Sequence, residues 1–253
     1  GGPARRVVAA ATQEELVETV RDCDARGEPV LVLAGGSNVV IADHGFDGTV
    51  VLVRTRGVRR RRAGERALVT AQAGEPWDEL VAALVDDGLA GVECLAGIPG
   101  SAGATPIQNV GAYGQEVAGT IVSVRVLDRR DGEVRDLAPG QCGFGYRTSV
   151  FKYAADHLVL AVTFVLADAG ASEPVRYAEL ARALGVEPGE RAPLAATRDA
   201  VLELRRGKGM LLDAGDHDTW SAGSFFTNPL LVADDADALD RRVAELLGPD
   251  ARA

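Results

Sequence analysis

Five glycines fall within one short stretch of the sequence, GIPGSAGATPIQNVGAYGQEV, which runs from Gly97 to Val117. A glycine inside a helix or strand costs roughly 0.5 to 1 kcal/mol relative to alanine, so this density needs a geometric reason. Backbone without side chains can lie flat against a large ligand, and its N–H groups can point at a phosphate. We therefore predict that the amides of Gly100 and Ser101 face phosphate and that Gln108 and Asn109 offer amide groups. A loop without a ligand is the alternative.

A second glycine segment, LAGGSN, follows the apolar run PVLVL. Gly35 and Gly36 at a strand end can form an anion-binding nest, to which Ser37 and Asn38 add side-chain donors. An ordinary turn is the alternative for this segment alone. A flavin dinucleotide combines a diphosphate with a flat ring, so it would suit the two segments together. The chain contains no G-x-G-x-x-G dinucleotide motif, which argues against a Rossmann site.

Two further segments carry chemically useful side chains. Arg147, in FGYRTSVFK, could stabilise a developing enolate because its guanidinium stays cationic; a surface arginine paired with an acid is an equal alternative. Ser224, in SAGSFFTNP, lies in apolar surroundings and could protonate a carbanion-like carbon, although a serine in a tight turn is the alternative. Its flanking residues do not form a Gly-x-Ser-x-Gly elbow, so a hydrolase nucleophile is not expected.

The remaining sequence predicts elements that could position these segments. Thr12 and Glu15 have the spacing of a capping box ahead of an apolar helix face. An Asp-Gly turn joins two strands in TIVSVRVLDRRDGEVRDLA, and DHLVLAVTFVLAD predicts a strand buried on both faces. We interpret Arg59–Arg62 as a solvated turn between two strands rather than a phosphate-binding patch. Further predicted helices are PWDELVAALVDDG, VRYAELARAL, LAATRDAVLELRRGKG and about Asp234 to Leu247, and DTWSAGSFFTNPLLV predicts strand and turn.

Composition restricts the function classes. The chain has 253 residues and a formal net charge of -10, which disfavours binding to nucleic acid. No apolar run is long enough to cross a bilayer, and the first residues lack the order of a secretory signal. The three cysteines lack metal-ligand spacing, so we expect reduced thiols and no metal site. A monomeric cytoplasmic protein is the expectation.

The segments GGSN, GIPGSAGATPIQNVGAYGQEV, GYRTSVFK and AGSFFTNP, in this order, closely resemble the signatures of the UDP-N-acetylenolpyruvoylglucosamine reductase family. The similarity extends from Gly1 to about Leu247. The resemblance implies an α+β fold, with an FAD-binding domain of the vanillyl-alcohol-oxidase/PCMH type in two subdomains and a smaller α+β substrate domain. We place these domains at residues 1–167 and 168–253, because ADAGASEP has the small, polar composition of a linker.

In that family NADPH reduces FAD, and the enolpyruvyl ether of UDP-N-acetylglucosamine then receives hydride at its β-carbon and a proton at its α-carbon. The product is UDP-N-acetylmuramic acid, a peptidoglycan precursor. The resemblance implies that Ser224 donates the proton and that Arg147 stabilises the enolate. It implies contacts with the UDP end from Tyr177, Lys208 and Asn228. It also implies FAD contacts from Gly35, Gly36, Ser37, Asn38, Gly100, Ser101, Ile107, Gln108, Asn109, Gly111 and Ala112.

The chain departs from the family pattern near both ends. The family's third catalytic group is a glutamate in a C-terminal segment that this chain does not contain, and a lead-in before GGPA is also missing. We therefore expect a trimmed piece of a full enzyme, with a substrate domain that is incomplete at its C-terminal end. Two alternatives remain open: an FAD-linked oxidase of the same fold that passes electrons to oxygen, and a flavin-binding or interaction module without turnover.

Overall fold

A capping box begins the first helix of the computed structural model, which describes residues 2–220, 223 and 226–248. Helix α1 (Gln13–Ala25) follows strand β1 (Ala4–Ala10). Thr12 Oγ1 accepts a hydrogen bond from Glu15 N at 3.1 Å, and the Glu15 carboxylate accepts one from Thr12 N at 3.2 Å. These bonds satisfy backbone donors that a helix start leaves without partners, so the prediction of a helix here is confirmed.

A three-stranded parallel sheet carries α1. Its strands are β1, β2 (Val30–Leu33) and β3 (Phe46–Val53), in the order β1-β3-β2. Leu16, Val17 and Val20 bury the apolar face of α1. The carboxyl end of β2 leads directly into the GGSN segment, so this sheet positions the first candidate phosphate loop.

A larger antiparallel sheet forms the second layer, with strand order β10-β9-β11-β5-β4 and with β6 paired to β11. Strand β11 lies between β9 and β5, and its residues are buried or half-buried, as its continuous apolar sequence predicts. Helix α2 (Trp77–Asp86) and a two-stranded ribbon, β7 with β8, lie between the strands in sequence. The remaining strand bounds are β4 (Val58–Ala63), β5 (Arg66–Gln72), β6 (Leu89–Ala90), β7 (Gly111–Ala112), β8 (Gln115–Glu116), β9 (Ile121–Asp128), β10 (Glu133–Leu137) and β11 (His157–Asp168).

The prediction of a solvated turn at Arg59–Arg62 is wrong. These residues belong to β4, which pairs antiparallel with β5 along its whole length. Their side chains are exposed, and Arg60 and Arg62 form ion pairs with acidic side chains of neighbouring segments. Four successive charges indicate a loop in isolation, but an edge strand tolerates them because charged side chains there prevent pairing with another chain.

Three more helices complete the described part of the chain. They are α3 (Ala178–Leu184), α4 (Leu194–Gly207) and α5 (Ala233–Leu247), all close to their predicted positions. None of the helices in this part combines the length and apolarity that a bilayer span requires. All three cysteines are buried free thiols, as expected.

The chain separates into two compact units, residues 1–221 and 222–253, and each is described by itself. The first contains both sheets, and the second contains α5. Residues 226–232, part of the segment predicted as strand and turn, have no regular secondary structure. The rest of that prediction falls partly outside the described residues.

Gly103 allows the glycine-rich stretch to pass directly over the end of β5. A Cβ at this position would lie 2.5 Å from Ala73 Cβ and 2.8 Å from Ala73 Cα. We expect Gly103→Ala to lower the free energy of unfolding by about 1 to 3 kcal/mol, the usual cost of overpacking. Urea denaturation measures the change.

Gly140→Ala is the matched control, because a Cβ built there meets nothing within 4 Å. Equal stability of the two variants would contradict the close approach at Gly103.

Candidate functional site

The two predicted phosphate-binding segments meet in the structure. A Cβ built on Gly100 would have Ser37 Oγ as a neighbour at 3.8 Å, and Asn38 Nδ2 lies 3.5 Å from Gln108 Oε1. The two loops lie far apart in sequence, since Asn38 and Gln108 are separated by 70 positions. We call the surface formed by residues 35–38, Gly100 and Ser101 the glycine cradle.

The backbone N–H groups of the glycine cradle lack acceptors in the described part of the chain. Within residues 2–220, 223 and 226–248, no acceptor is found for the N–H groups of Gly35, Gly36, Ser37, Asn38, Gly100 and Ser101. Gly36 and Gly100 have φ angles of 75° and 123°, which are the left-handed conformations that turn successive amides towards one point. Such a group of donors favours a phosphate or diphosphate ligand.

Fixed contacts hold both loops of the glycine cradle in place. Arg54 Nη1 donates to Ala34 O at 2.8 Å, immediately before the first loop. Trp77 N, at the start of α2, donates to Gly100 O at 3.1 Å, and Gly97 N donates to Asp78 Oδ1 at 2.6 Å. The second loop therefore rests on the N-terminus of a buried helix rather than moving freely.

A tight hairpin follows the second loop. Strands β7 and β8 pair antiparallel, with Gly111 opposite Glu116 and Ala112 opposite Gln115. The two turn residues, Tyr113 and Gly114, have φ angles of 48° and 84°, the positive values that a type I′ turn requires. Glycine suits this geometry and tyrosine does not, so the Tyr113 backbone is strained.

Arg147 binds to this hairpin. Its Nη2 donates to Gly111 O at 2.8 Å, and its Nη1 donates to Asn109 O at 3.3 Å and to Glu116 Oε1 at 3.0 Å. Its guanidinium carbon lies 5.0 Å from the centroid of the Tyr146 ring. A Cβ on Gly111 would lie 2.7 Å from Arg147 Nη1, which explains why this position is glycine. The side chain remains 26% exposed, so a ligand can reach it.

Strained backbone in the described residues is concentrated at these segments. Asn109, Tyr113 and Arg147 have φ angles of 44°, 48° and 52°, and they are the non-glycine residues with positive φ in the described part of the chain. Non-glycine residues in this region cost of order 1 to 3 kcal/mol and tend to cluster at functional sites. Their grouping around one guanidinium supports a functional role for this region.

The side chains of the second loop have different surroundings. Asn109 is buried, and both ends of its amide bond to protein: Nδ2 donates to Glu116 Oε2 and Gly145 O, and Oδ1 accepts from Ala118 N. Gln108 is half-buried and turns towards Asn38. The carbonyl of Ile107 accepts a hydrogen bond from Ser149 Oγ at 2.6 Å. The cofactor contacts predicted for these residues and for Ala112 stay predictions.

Two of the residues predicted to bind the UDP end lie around Tyr113. The Tyr113 and Tyr177 rings make an edge-to-face contact with centroids 5.5 Å apart, and Lys208 Nζ lies 5.7 Å from the Tyr113 ring centroid. Lys208 Nζ also donates to Glu179 Oε2 at 2.6 Å. The hydrogen bond to Glu179 raises the pKa of the Lys208 ammonium, and burial raises the pKa of the Tyr113 phenol. Both groups therefore stay protonated at neutral pH.

Asn228, the third residue predicted to bind the UDP end, belongs to the second unit and is exposed. Ser224, the predicted proton donor, lies outside the described residues.

Comparison with known proteins identifies the family of the chain. Residues 4–138 match the FAD binding domain family. The UDP-N-acetylenolpyruvoylglucosamine reductase of Saccharopolyspora erythraea is 55% identical over 253 residues, which cover 100% of this chain and 69% of the relative. The protein of the same name from Thermobifida fusca is 54% identical over 251 residues, which cover 99% of this chain and 70% of the relative. The chain belongs to the UDP-N-acetylenolpyruvoylglucosamine reductase family.

A solved structure in the reductase family has the same fold. The UDP-N-acetylenolpyruvylglucosamine reductase from Thermus caldophilus aligns with a TM-score of 0.59 at 24% identity, covering 96% of this chain and 75% of its own. Together with the FAD binding domain match, this confirms the predicted α+β fold with an FAD-binding domain of the vanillyl-alcohol-oxidase/PCMH type. The prediction of FAD as cofactor is confirmed by the same family match.

The residues of this reductase-family chain fit FAD on structural grounds. The N–H groups of the glycine cradle have no acceptor among the described residues, and a diphosphate needs such donors. A Cβ built on Gly35 meets nothing within 4 Å, so there is room over the first loop. The exposed apolar side chains of Val39 and Val40 border the same loop and offer contact for a ring.

Several residues of the site were missed by the sequence predictions. Glu116, Ser149, Tyr113 and Glu179 each contact a predicted site residue. Glu116 had a detectable signal, because it is the single charged residue in the stretch Gly97–Val117. Ser149 lies within the GYRTSVFK segment, but its partner Ile107 is far away in sequence.

Gly35 allows a direct test of the glycine cradle. Its φ is not in the left-handed region and a Cβ built there meets nothing within 4 Å, so we expect Gly35→Leu to fold normally. The new side chain would occupy the space over the loop. We expect FAD affinity to fall at least about tenfold, or about 1.4 kcal/mol, in a titration followed by flavin fluorescence.

Gly140→Leu is the control, since position 140 is equally open and lies outside the cradle. Wild-type FAD affinity in Gly35→Leu would show that the cofactor does not lie over this loop.

Proposed function

We propose that this chain catalyses the NADPH-dependent reduction of UDP-N-acetylenolpyruvylglucosamine to UDP-N-acetylmuramic acid in peptidoglycan precursor synthesis. The placement of Arg147 gives the strongest support. Its guanidinium is bound by the carbonyl oxygens of Asn109 and Gly111, in the same loop that contributes Gly100 to the glycine cradle. A fixed cation beside a flavin site suits a substrate that passes through an enolate.

Bound FAD would take a hydride from NADPH and deliver it to the β-carbon of the enolpyruvyl group. The contribution of Arg147 is electrostatic. A guanidinium remains charged at any working pH, and its orientation is set before the substrate arrives, so it can stabilise charge that develops on the substrate carboxylate. Among the described residues, Arg147 Nε has no hydrogen-bond partner, which leaves a donor for that carboxylate.

The UDP end of the substrate would bind at the cluster around Tyr113. Lys208 would supply a compact positive charge to the diphosphate, and Tyr177 would contact the nucleotide from the start of α3. The hydrogen bond from Lys208 to Glu179 holds the ammonium beside the Tyr113 ring. Asn228 is proposed to contact the same end of the substrate because of its position in the FFTNP segment.

Ser224 is proposed to donate the proton to the α-carbon. Its neighbours in sequence, a glycine and two phenylalanines, provide an apolar setting in which a hydroxyl can protonate a strongly basic carbon.

The domain assignment belongs to this proposal. Residues 1–167 would bind FAD and residues 168–253 would bind the substrate. The protein would act as a cytoplasmic monomer on a small-molecule nucleotide sugar, without nucleic acid or membrane. The net charge of -10 supports the exclusion of nucleic acid.

Anaerobic mixing tests the proposed reaction. We expect NADPH to bleach the visible absorbance of bound FAD and UDP-N-acetylenolpyruvylglucosamine to restore it, with UDP-N-acetylmuramic acid as the product detected by mass spectrometry. Restoration by oxygen but not by the nucleotide sugar would identify an oxidase instead. Flavin that NADPH does not bleach would indicate a binding module without turnover.

Ser224→Ala separates the two halves of this reaction. Reduction of FAD by NADPH needs no proton from Ser224, so its rate should stay near that of the wild type. Reoxidation by the nucleotide sugar should slow by about 100-fold or more, the usual contribution of a general acid. Stopped-flow absorbance measures both rates.

Ser123→Ala, on strand β9, is the control and should leave both rates unchanged. Equal loss in both halves for Ser224→Ala would mean that Ser224 has a role other than protonation.

A further inference from the structure

The carboxylate of Glu116 joins two residues of the site. Its Oε1 accepts a hydrogen bond from Arg147 Nη1 at 3.0 Å, and its Oε2 accepts one from Asn109 Nδ2 at 2.9 Å. Neither the sequence predictions nor the family comparison assigns Glu116 a role. Because each oxygen has its own partner, the carboxylate can move only if one of these bonds breaks.

Asn109 provides a rigid anchor for Glu116. Its side chain is 2% exposed and also bonds to Gly145 O at 3.0 Å and to Ala118 N at 3.1 Å. The amide thus bonds to two separate segments of the chain, residues 116–118 and Gly145. Glu116 is therefore fixed from the side opposite Arg147, and its orientation is passed on to the guanidinium.

The hairpin register places Glu116 beside the Arg147 guanidinium. Gly111 and Glu116 are directly paired across β7 and β8. A Cβ on Gly111 would lie 2.7 Å from both Arg147 Nη1 and Glu116 Cγ, so the three groups are in close contact. The Nη1 and Nη2 atoms of Arg147 are bound to protein, whereas Nε has no partner among the described residues.

We propose that Glu116 is a positioning residue for Arg147. Its carboxylate holds the Nη1 end of the guanidinium so that the Nε edge is directed at the carboxylate of the enolpyruvyl substrate. This inference rests on the proposed function. Glu116 need not touch the substrate, and it acts through Arg147.

Exposure distinguishes this role from simple stabilisation of the fold. The Glu116 and Arg147 side chains are 40% and 26% exposed. Ion pairs this accessible to solvent contribute little to stability because water and salt screen them. A loss of catalysis much larger than the loss of stability is therefore the signature of a positioning role.

Glu116→Gln is the informative variant. Glutamine keeps the size of the side chain, but it replaces one acceptor oxygen with an NH2 donor. One of the two donors, Asn109 Nδ2 or Arg147 Nη1, therefore loses its own acceptor atom. We expect the rate of FAD reduction by NADPH to stay within about twofold of wild type. Reoxidation by the nucleotide sugar should slow by about tenfold or more, because a small misplacement of a catalytic group can cost that much.

A comparison of the affinities for two nucleotides tests the orientation of the Arg147 guanidinium without turnover. UDP-N-acetylglucosamine lacks the enolpyruvyl carboxylate, so its affinity does not depend on the orientation of Arg147. In the wild type, the enolpyruvyl nucleotide should bind more tightly, as measured from the perturbation of the oxidised flavin spectrum. We expect Glu116→Gln to reduce this preference by about tenfold while the affinity for UDP-N-acetylglucosamine changes little.

Two further variants complete the test. In an Arg147→Lys background, Glu116→Gln should cause no additional loss, because residues that act as one unit are not additive. Asp136→Asn is the matched control, since Asp136 forms an exposed pair with Arg125 at 2.8 Å outside the site. Its rates and nucleotide preference should equal those of the wild type.

The outcomes separate this inference from the proposed function. Equal slowing of both half-reactions in Glu116→Gln, an unchanged nucleotide preference, or additive losses with Arg147→Lys would overturn the positioning role. If the enolpyruvyl nucleotide reoxidises the flavin equally fast in the wild type and in Glu116→Gln, only the positioning role is contradicted. A wild-type protein whose reduced flavin the nucleotide does not reoxidise contradicts the proposed function itself.

Discussion

The close approach between the Arg147 guanidinium and the backbone of Gly111 constrains the whole site. Arg147 Nη2 donates to Gly111 O, and a Cβ at Gly111 would lie 2.7 Å from Arg147 Nη1, so a side chain at this position would displace the guanidinium. The glycines of the two glycine-rich segments therefore have two separate functions. Gly111 and Gly103 allow protein to pack on protein, whereas Gly35 and Gly100 face space in which a ligand can bind.

Backbone strain follows from the same constraint. Asn109, Tyr113 and Arg147 adopt positive φ angles that non-glycine residues avoid. Such conformations persist only where surrounding contacts outweigh their cost. The buried amide of Asn109 makes three hydrogen bonds, and the guanidinium of Arg147 makes three more. The strain is thus balanced by contacts that also fix the position of the cation.

The sequence predicts the elements better than it predicts the contacts between them. Helix α1 and the hairpin of β9 and β10 carry local signals, a capping box and an Asp-Gly turn, and both formed where expected. Strand β4 was missed because its sequence lacks the apolar alternation of a strand. Its pairing with β5 is made by backbone hydrogen bonds, which leave no pattern in the sequence. The contact between Glu116 and Arg147 could not be predicted because the two residues lie 31 positions apart in sequence.

One short hairpin links the two ends of the proposed substrate site. Its strands hold Arg147 through Gly111 and Glu116, and its turn carries Tyr113 towards Lys208. In the proposed function, Arg147 and Lys208 bind the carboxylate and the diphosphate of one substrate, and the hairpin relates their positions because it contacts both side chains. These local positive charges also counter the overall charge of -10, which by itself would repel a nucleotide sugar. Binding of such a substrate therefore depends on the placement of a few cations and not on the net charge of the protein.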